Sequence, residues 1–437
     1  MQLIKYPGRK EWGKLLQRPV LDTSSLENRV ANILKEIREN GDEAVRRFTL
    51  MFDKLSLDSL EVTTAEIEEA IALVPEKLKI AIQQAKQNIE TFHAAQVKPV
   101  RKSDGPITKG YAEVIETMPG VKCWRKSLPI EKVGLYIPGG TAPLFSTILM
   151  LGVPAKIAGC KEIILCSPPG KEGKLHPAIV YAAQLVGITK IYKAGGVQAI
   201  GAMAYGTGTI PQVYKIFGPG NQYVTCAKQL VQKDGVAIDM PAGPSEVAIY
   251  ADETANPAFV AADLLSQAEH GVDSQVVLVS CEELVIHNVQ IELEKQLQAL
   301  PRKDIAVKAL ENSKSILVKD AAEAMDLLNE YAAEHLILCC ANAEDMADKV
   351  INAGSVFIGH YSPESVGDYA SGTNHTLPTN GYARAYSGVS VDSFVKKVTF
   401  QQLSREGLEA IGNTVETMAA AEGLEAHKNA VSIRLAK

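Results

Sequence analysis

The stretch KVGLYIPGG, residues 132–140, decides the fold class. A short apolar run ends in a Pro-Gly-Gly turn, and a helical pattern follows over residues 147–159. Strands with almost no polar residues are typical of parallel sheets that helices cover on both faces. The stretch therefore predicts one strand–turn–helix unit of an α/β protein.

The same alternation of strand and helix patterns continues on both sides of residue 245. Before it, strand-like runs at 162–168, 188–196 and 213–220 are each followed by a helical pattern. After it, a second series runs from EVAIYAD, residues 246–252, to SVFIG, residues 355–359. We therefore predict two parallel-sheet domains, a division that suits a chain of 437 residues.

Composition excludes several classes of protein. Hydrophobic residues make up 46% of the chain and charged residues 22%, which is ordinary for a globular protein. The formal net charge is -6 without a basic block, so nucleic-acid binding has no electrostatic support. We find no apolar signal-peptide core and no run long enough to span a bilayer. The seven scattered cysteines fit reduced thiols, and we expect a cytoplasmic protein.

Gly-rich turns follow three of the predicted strands, at residues 138–143, 194–201 and 217–224. Glycine allows the backbone to approach a ligand closely, and a helix N-terminus attracts phosphate. None of the three turns has the GxGxxG pattern, and such turns are common without any ligand. From the turns alone, nucleotide binding and a purely structural role are both open.

The segment SQAEHG, residues 266–271, places Gln267 and His270 three residues apart at the end of a predicted helix, where they share a face. Asn256 suits the N-cap of that helix and Pro257 its first position. The simpler interpretation is that His270 interacts with the helix dipole. The alternative is that both side chains hold a common ligand.

A second pair of polar residues is Glu334 and His335, which we predict to lie on a helix that starts near Asp320. Both would border its buried face, where an unpaired carboxylate is costly. A functional pair and a satisfied core histidine are equally compatible with this pattern.

Further candidates lie farther along the chain. Asp368 and His375 fall in a polar, Gly-containing loop, and His427 falls on the apolar side of a C-terminal helical hairpin, where a packed core role is the simpler interpretation. A Gln, two His and an Asp would suit Zn²⁺, although glutamine is an unusual ligand.

Nine motifs, in this order, resemble the histidinol dehydrogenase family: GLYIPGGTAPL, AGGVQAIGAMAYGT, FGPGNQYVTCAK, DMPAGPSEV, LLSQAEHG, YAAEHL, GDYASGTNHTLPT, ARAYSGVS and EGLEAH. The resemblance covers nearly the whole chain and is weakest before about residue 110. It implies a cytosolic, zinc-dependent homodimer that oxidises L-histidinol to L-histidine through L-histidinal with two NAD⁺. It also implies an incomplete Rossmann-like fold of the aldehyde-dehydrogenase type.

The resemblance also implies roles for individual residues of this sequence. Glu334 and His335 would be the catalytic pair. The zinc ligands would be Gln267, His270 and Asp368, with His427 supplied by the tail of the other subunit. Ser245 and Glu422 would bind substrate together with His335 and the zinc ligands, and the NAD contacts would be Tyr136, Gln198 and Asn221.

The patterns and the resemblance together divide the chain into four parts. These are an N-terminal helical arm (1–29), a first α/β domain (30–136 and 245–390), a second, NAD-side α/β domain (137–244) and a C-terminal helical tail (391–437) exchanged between subunits.

Two other classes of protein are carried as alternatives. A zinc hydrolase would use its metal to make hydroxide, and its Gly-rich turns would be structural. A non-catalytic relative would bind a small ligand on the same scaffold. A thiol mechanism through Cys123, Cys160 or Cys226 is a variant within the enzyme class, although a thiol in apolar surroundings is inert.

Overall fold

The computed structural model describes residues 1–19, 24–97, 99–100, 108–109, 114–139, 143–241 and 243–436. Residues 140–142 of the first predicted Gly-rich turn lie outside these ranges. The strands are β1 Gln2–Lys5, β2 Pro99–Val100, β3 Thr108–Lys109, β4 Ile115–Met118, β5 Val121–Pro129, β6 Lys132–Tyr136, β7 Glu162–Ser167, β8 Lys190–Lys193, β9 Lys215–Phe217, β10 Ala237–Ile238, β11 Glu246–Ala251, β12 Gln275–Ser280, β13 Lys314–Leu317, β14 His335–Cys339, β15 Ser355–Ile358 and β16 Val395–Leu403.

The helices alternate with these strands over most of the chain. They are α1 Trp12–Leu15, α2 Ser24–Asp53, α3 Thr64–Leu73, α4 Glu76–Ala94, α5 Ser146–Ala158, α6 Pro177–Leu185, α7 Gly196–Tyr205, α8 Gln222–Lys233, α9 Pro257–Ala268, α10 Glu283–Ala299, α11 Lys303–Glu311, α12 Ala321–Tyr331, α13 Ala343–Ala347, α14 Glu364–Tyr369, α15 Arg405–Ala421 and α16 Glu425–Leu435. In the part of the chain that the structure describes, none of them is both long and apolar enough to cross a bilayer.

Two parallel sheets confirm the predicted α/β class. The six-stranded sheet has the order β1-β13-β12-β11-β14-β15, and the five-stranded sheet has the order β10-β9-β6-β7-β8. Every residue of β11, β12 and β14 is buried, as expected for strands with helices on both faces. One core packs α9, α10 and α11 on the six-stranded sheet, and another packs α1 and α12 on its opposite face.

Chain contacts separate the molecule into two compact units. The first comprises residues 1–94 and 131–393 and contains both parallel sheets. The second comprises residues 95–130 and 394–437. In the second unit β16, β5 and β4 form an antiparallel sheet, and α15 and α16 form a hairpin that turns at Gly423, which has a φ of 73°.

Three segments differ from the predicted domain division. The predicted N-terminal helical arm begins with β1, which pairs with β13 in the six-stranded sheet. The predicted helical tail begins with β16, a nine-residue strand on β5. Finally, β6 and α2, assigned to the first domain, belong to the five-stranded sheet and its core, because α2 packs its apolar stripe on α7.

Arg18 connects the N-terminal segment to the six-stranded sheet through hydrogen bonds. Its guanidinium donates two hydrogen bonds, of 3.0 and 2.9 Å, to the buried carboxylate of Glu246 at the start of β11. It donates a third, of 2.6 Å, to the carbonyl of Tyr331 and lies over the ring of that residue. A two-pronged contact of this kind holds a planar guanidinium in one orientation.

We predict that Arg18→Ala lowers the free energy of unfolding by about 3 kcal/mol, because it leaves the Glu246 charge buried without its cation. Arg9→Ala is the control: its ion pair with Asp326 is more than half exposed, and its loss costs about 0.5 kcal/mol. Urea unfolding of both variants measures the difference. Equal midpoints for the two variants would refute the prediction.

Candidate active site

Glu334 and His335 lie at the amino end of β14 and not on a helix as predicted. Helix α12 ends at Tyr331, and Ala332 turns the chain through a left-handed conformation with a φ of 53°. His335 is the first residue of β14, and Glu334 immediately precedes it. The apolar pattern of residues 327–335 suggested one continuous helix, because apolar residues are buried both at the end of α12 and at the start of β14.

The backbone of Glu246 holds both members of this pair. Its N–H donates a hydrogen bond of 2.9 Å to Oε2 of Glu334, and its carbonyl oxygen lies 3.2 Å from Nδ1 of His335. The same Nδ1 lies 3.7 Å from Oε2 of Glu334. The opposite ring nitrogen, Nε2, lies 3.3 Å from Oδ1 of Asp368. The imidazole of His335 therefore stands between two carboxylates.

Burial and charge perturb both groups. Burial raises the pKa of the Glu334 carboxyl to about 8. Burial acts against the charged form of His335, but the carboxylates of Glu334 and Asp368 outweigh it and raise the pKa of the imidazole to about 10. A carboxyl and an imidazole with perturbed pKa values in contact are equipped for proton transfer.

Gln267 and His270 lie on either side of the end of α9. Gln267 is in the last turn of α9, whereas His270 lies in the following turn and donates its N–H to the carbonyl of Gln267 over 3.2 Å. The predicted cap at Asn256 is confirmed, since its side chain accepts the N–H of Ala258. The side chain of Gln267 is buried and that of His270 is exposed, so the pair extends from the interior to the surface.

Buried polar atoms without partners converge beside His335. In the described residues, Oε1 of Gln267 is buried without a hydrogen-bond partner, and Oδ1 of Asp368 is buried with only the 3.3 Å ionic contact to Nε2 of His335. Nε2 of Gln267 lies 3.4 Å from Nδ1 of His335. Although burial opposes it, the neighbouring His335, His375 and His270 hold the pKa of Asp368 below its usual value. Unsatisfied oxygens of this kind are the expected ligands of a bound cation or substrate.

Sequence reasoning missed Glu364. Its Oε1 accepts a hydrogen bond of 2.6 Å from Ser266, and its carboxylate also contacts the amide of Gln267. Burial raises the pKa of Glu364 to about 7. Glu364 and Asp368 are four residues apart on α14, a spacing that places them on one face and could have revealed the pair.

His375, suggested by the sequence, stands behind Asp368. Its Nδ1 lies 2.8 Å from the backbone oxygen of Asp368, and its Nε2 lies 3.2 Å from the hydroxyl of Thr147 in α5. Thr147 was not predicted. His375 therefore connects the polar cluster to the helix that follows β6.

The three other predicted substrate-binding residues are divided between the two units. Ser245 is partly buried and immediately precedes Glu246. Glu422 and His427 are in the second unit, at the α15–α16 turn and in α16, and both are exposed. The described residues include no group of three His, Cys, Asp or Glu arranged to hold a metal ion. Of the four predicted ligands, Gln267 would bind through an amide, which is not one of these four residue types. His427 belongs to the second unit, whereas the other predicted ligands belong to the first.

The three predicted cofactor residues lie at or after the ends of strands of the five-stranded sheet. Tyr136 ends β6, and its hydroxyl accepts the N–H of Gly196 over 3.0 Å. Gln198 is buried in α7, and Nε2 of its amide lies 3.5 Å from Oδ2 of Asp53. Asn221 is exposed and caps α8 by accepting the N–H groups of Tyr223 and Val224. The sheet thus presents polar groups at the carboxyl ends of its strands.

An acid–base pair buried at one parallel sheet, with polar groups at the strand ends of a second, defines an α/β enzyme. Comparison with known proteins identifies its family. The family model described as histidinol dehydrogenase matches residues 16–435, so the chain belongs to the histidinol dehydrogenase family. It is an oxidoreductase of histidine biosynthesis, and neither a zinc hydrolase nor a non-catalytic binding protein is favoured.

Individual relatives agree with this assignment. The histidinol dehydrogenase of Bacteroides fragilis is 62% identical over 435 residues, which cover 100% of this chain and 99% of the relative. That of Salmonella typhimurium is 50% identical over 424 residues, covering 96% and 94% of the two chains. The crystal structure of histidinol dehydrogenase from Elizabethkingia anophelis superposes with a TM-score of 0.94 at 55% identity, covering 100% of this chain and 98% of that one.

Proposed function

We propose that this protein oxidises L-histidinol to L-histidine through L-histidinal and consumes two NAD⁺, as a cytoplasmic homodimer. The observation that supports the proposal most directly is the contact between Glu334, His335 and Asp368 beside the unsatisfied amide of Gln267. The names of the relatives supply the substrate, and the site supplies groups able to accept its protons.

His335 and Glu334 would divide two proton transfers. Removing a hydride equivalent from an alcohol requires loss of the hydroxyl proton, and Nε2 of His335 faces the cluster where the substrate oxygen would lie. The imidazole accepts that proton only in its neutral form, which the raised pKa makes the minor form near neutral pH. Oxidation of the aldehyde requires addition of water, for which a second base is needed. Glu334 suits that role, because burial gives its carboxyl the higher basicity that a base needs near neutral pH.

Gln267, His270 and Asp368 fit a Zn²⁺ ion, with His427 of a second copy of the chain as the fourth ligand. The fit rests on the buried, unpartnered Oε1 of Gln267 and on the buried Oδ1 of Asp368, whose one close contact is with His335; a cation would satisfy both oxygens. When bound, the ion orients the substrate and offsets the negative charge of Asp368. Glu364 keeps the amide of Gln267 oriented, since a carboxylate accepts only from the amide nitrogen and leaves Oε1 available.

We further propose that the C-terminal hairpin of one subunit serves the site of its partner. The hairpin exposes Glu422 and His427, and it also exposes Met418, Leu424 and Ile433. Such a two-helix element has too little apolar surface of its own to form a separate core. Ser245 and Glu422 would then bind the substrate, while Tyr136, Gln198 and Asn221 would bind NAD⁺.

Replacement of Glu334 tests the division of labour. Glu334→Gln keeps the size of the side chain but removes the base, so oxidation of supplied L-histidinal should fall by about a hundred- to ten-thousandfold. The first NADH formed from L-histidinol in a single turnover should fall much less. Stopped-flow absorbance separates the two phases, and Glu330→Gln, an exposed neighbour, should leave both unchanged.

His335→Asn should suppress the first phase itself, because it removes the group that accepts the alcohol proton. Equal loss of both phases in Glu334→Gln would show that this glutamate only orients His335. The division of roles between the two residues would then be wrong, although the overall reaction would stand.

Metal content tests the ligand set independently of turnover. We expect His270→Ala and His427→Ala each to weaken zinc binding by at least about tenfold, measured by elemental analysis after dialysis against a chelator. His287→Ala, an exposed histidine on α10, should keep the wild-type metal content. Wild-type zinc content in both ligand variants would contradict the assignment.

Subunit mixing tests the exchanged tail. Inactive His427→Ala and inactive His270→Ala chains should regain part of the activity when they are mixed, because one site of each hybrid dimer has every ligand intact. If proven hybrid dimers regain nothing, each tail serves its own subunit. A monomer by sedimentation with full activity would overturn the dimer proposal outright.

The cysteines should be dispensable. Burial raises the pKa of Cys160 to about 11 and also raises that of Cys226, so neither is a ready thiolate. We expect Cys160→Ala, Cys226→Ala and Cys123→Ala to keep turnover within about tenfold of the wild type. A loss of several orders of magnitude in one folded variant would indicate a thiol intermediate.

A further inference from the structure

A groove of about 620 Å³ lies where β6 and β7 reach the carboxyl edge of the five-stranded sheet. Its walls come from the end of α2, from α3 and from the start of α6, and much of their surface is apolar. Val62, Leu73, Leu175 and Ile179 line it, and the carboxylate of Asp53 stands among them. A groove of this size and position suits part of a dinucleotide.

Asp53 belongs to the same polar group as the proposed cofactor residues. Its Oδ2 lies 3.5 Å from Nε2 of Gln198, whose other amide atom, Oε1, is buried without a partner in the described residues. Its charge also acts on the hydroxyl of Tyr136. Half-buried and without a paired cation among the described residues, the carboxylate offers free lone pairs to a hydroxylated ligand.

Two lysines near the groove already have carboxylate partners, whereas among the described residues Lys171, which also lines the groove, has none within ion-pair distance. Lys193 donates to Glu66 over 2.9 Å, and Lys174 donates to both oxygens of Glu69 over 2.8 and 2.6 Å. A phosphate bound near Asp53 would meet an uncompensated negative charge. A neutral diol would instead find an acceptor for two hydroxyl groups.

We propose that Asp53 binds the hydroxyl groups of the adenosine ribose of NAD⁺ and thereby excludes NADP⁺. The inference rests on the proposed function, since it assumes a nicotinamide dinucleotide near Tyr136, Gln198 and Asn221. A carboxylate that accepts the ribose 2′-hydroxyl cannot accommodate a 2′-phosphate in the same position. Asp53 is therefore the residue that determines cofactor specificity.

The orientation of the cofactor follows from the contacts of α5. Thr147, in the first turn of α5, contacts His375, and His375 contacts Asp368 of the catalytic cluster. The reactive nicotinamide belongs on that side, next to the substrate. Asp53 lies at the end of α2 and lines the groove, which neither Thr147 nor His375 lines, and the adenosine would bind there.

The wild-type protein itself gives the first test. Nicotinamide 2′-deoxyadenosine dinucleotide lacks the hydroxyl that Asp53 would accept, so its kcat/KM with L-histidinol should be about ten- to a hundredfold below that of NAD⁺. In Asp53→Asn the kcat/KM for the same analogue should be less than about threefold below that for NAD⁺. The ratio of kcat/KM for NADP⁺ over NAD⁺ should rise by at least about tenfold in this variant.

Glu69→Gln is the matched control, because it removes another carboxylate of the groove that is already engaged with Lys174. It should leave the preference for NAD⁺ unchanged. The proposal would be overturned if Asp53→Asn kept the wild-type ratio of kcat/KM for NADP⁺ over NAD⁺. It would also be overturned if the wild-type protein used the 2′-deoxy analogue with a kcat/KM less than about threefold below that for NAD⁺.

Direct binding separates this inference from the proposed reaction. Calorimetric titration of NAD⁺, its 2′-deoxy analogue and NADP⁺ without substrate repeats the comparison with no turnover. If NAD⁺ binds tenfold or more tightly than both and Asp53→Asn abolishes the difference, Asp53 is the determinant even when L-histidinol is not oxidised. Equal affinities in the wild-type protein would overturn the role of Asp53.

Discussion

The candidate site depends on the position of one residue, Glu246. Its carboxylate binds Arg18, its N–H binds Glu334, and its carbonyl oxygen contacts His335. Because it starts a fully buried strand between β12 and β14, its backbone has little freedom to move. Glu334 and His335 are thus oriented by main-chain atoms of the sheet, which are more rigid than a side chain on a loop.

The candidate site residues of the two parallel sheets lie at different ends of their strands. Tyr136 and the groove beside Asp53 are at the carboxyl ends, where ligands of α/β proteins usually bind. Glu334, His335 and Ser245 are at the amino ends of β14 and β11. Helix α9 runs back against its sheet, so its last turn brings Gln267 to the same place.

The class of fold could be predicted from apolar strands and Gly-rich turns, because the apolar pattern of a strand indicates whether other elements bury one or both of its faces. Motif resemblance supplied the site residues, and the structure assembles those of the first unit, from Gln267 to Asp368. The helix that starts near Asp320 was extended too far, to Glu334 and His335, since the end of the buried helix and the start of the buried strand have similar composition. Glu246 and Glu364 were missed because their roles depend on contacts between residues far apart in sequence.

The pairing of β1 with β13 constrains how the molecule can be made. Gln2 is synthesised long before Lys314, its neighbour in the sheet. β1 therefore has no partner strand until β13 is made, and until then both β1 and the open edge of β12 present unpaired backbone groups. Nascent chains stalled before residue 314 should accordingly be more prone to aggregate than those released whole, even though their five-stranded sheet is already finished.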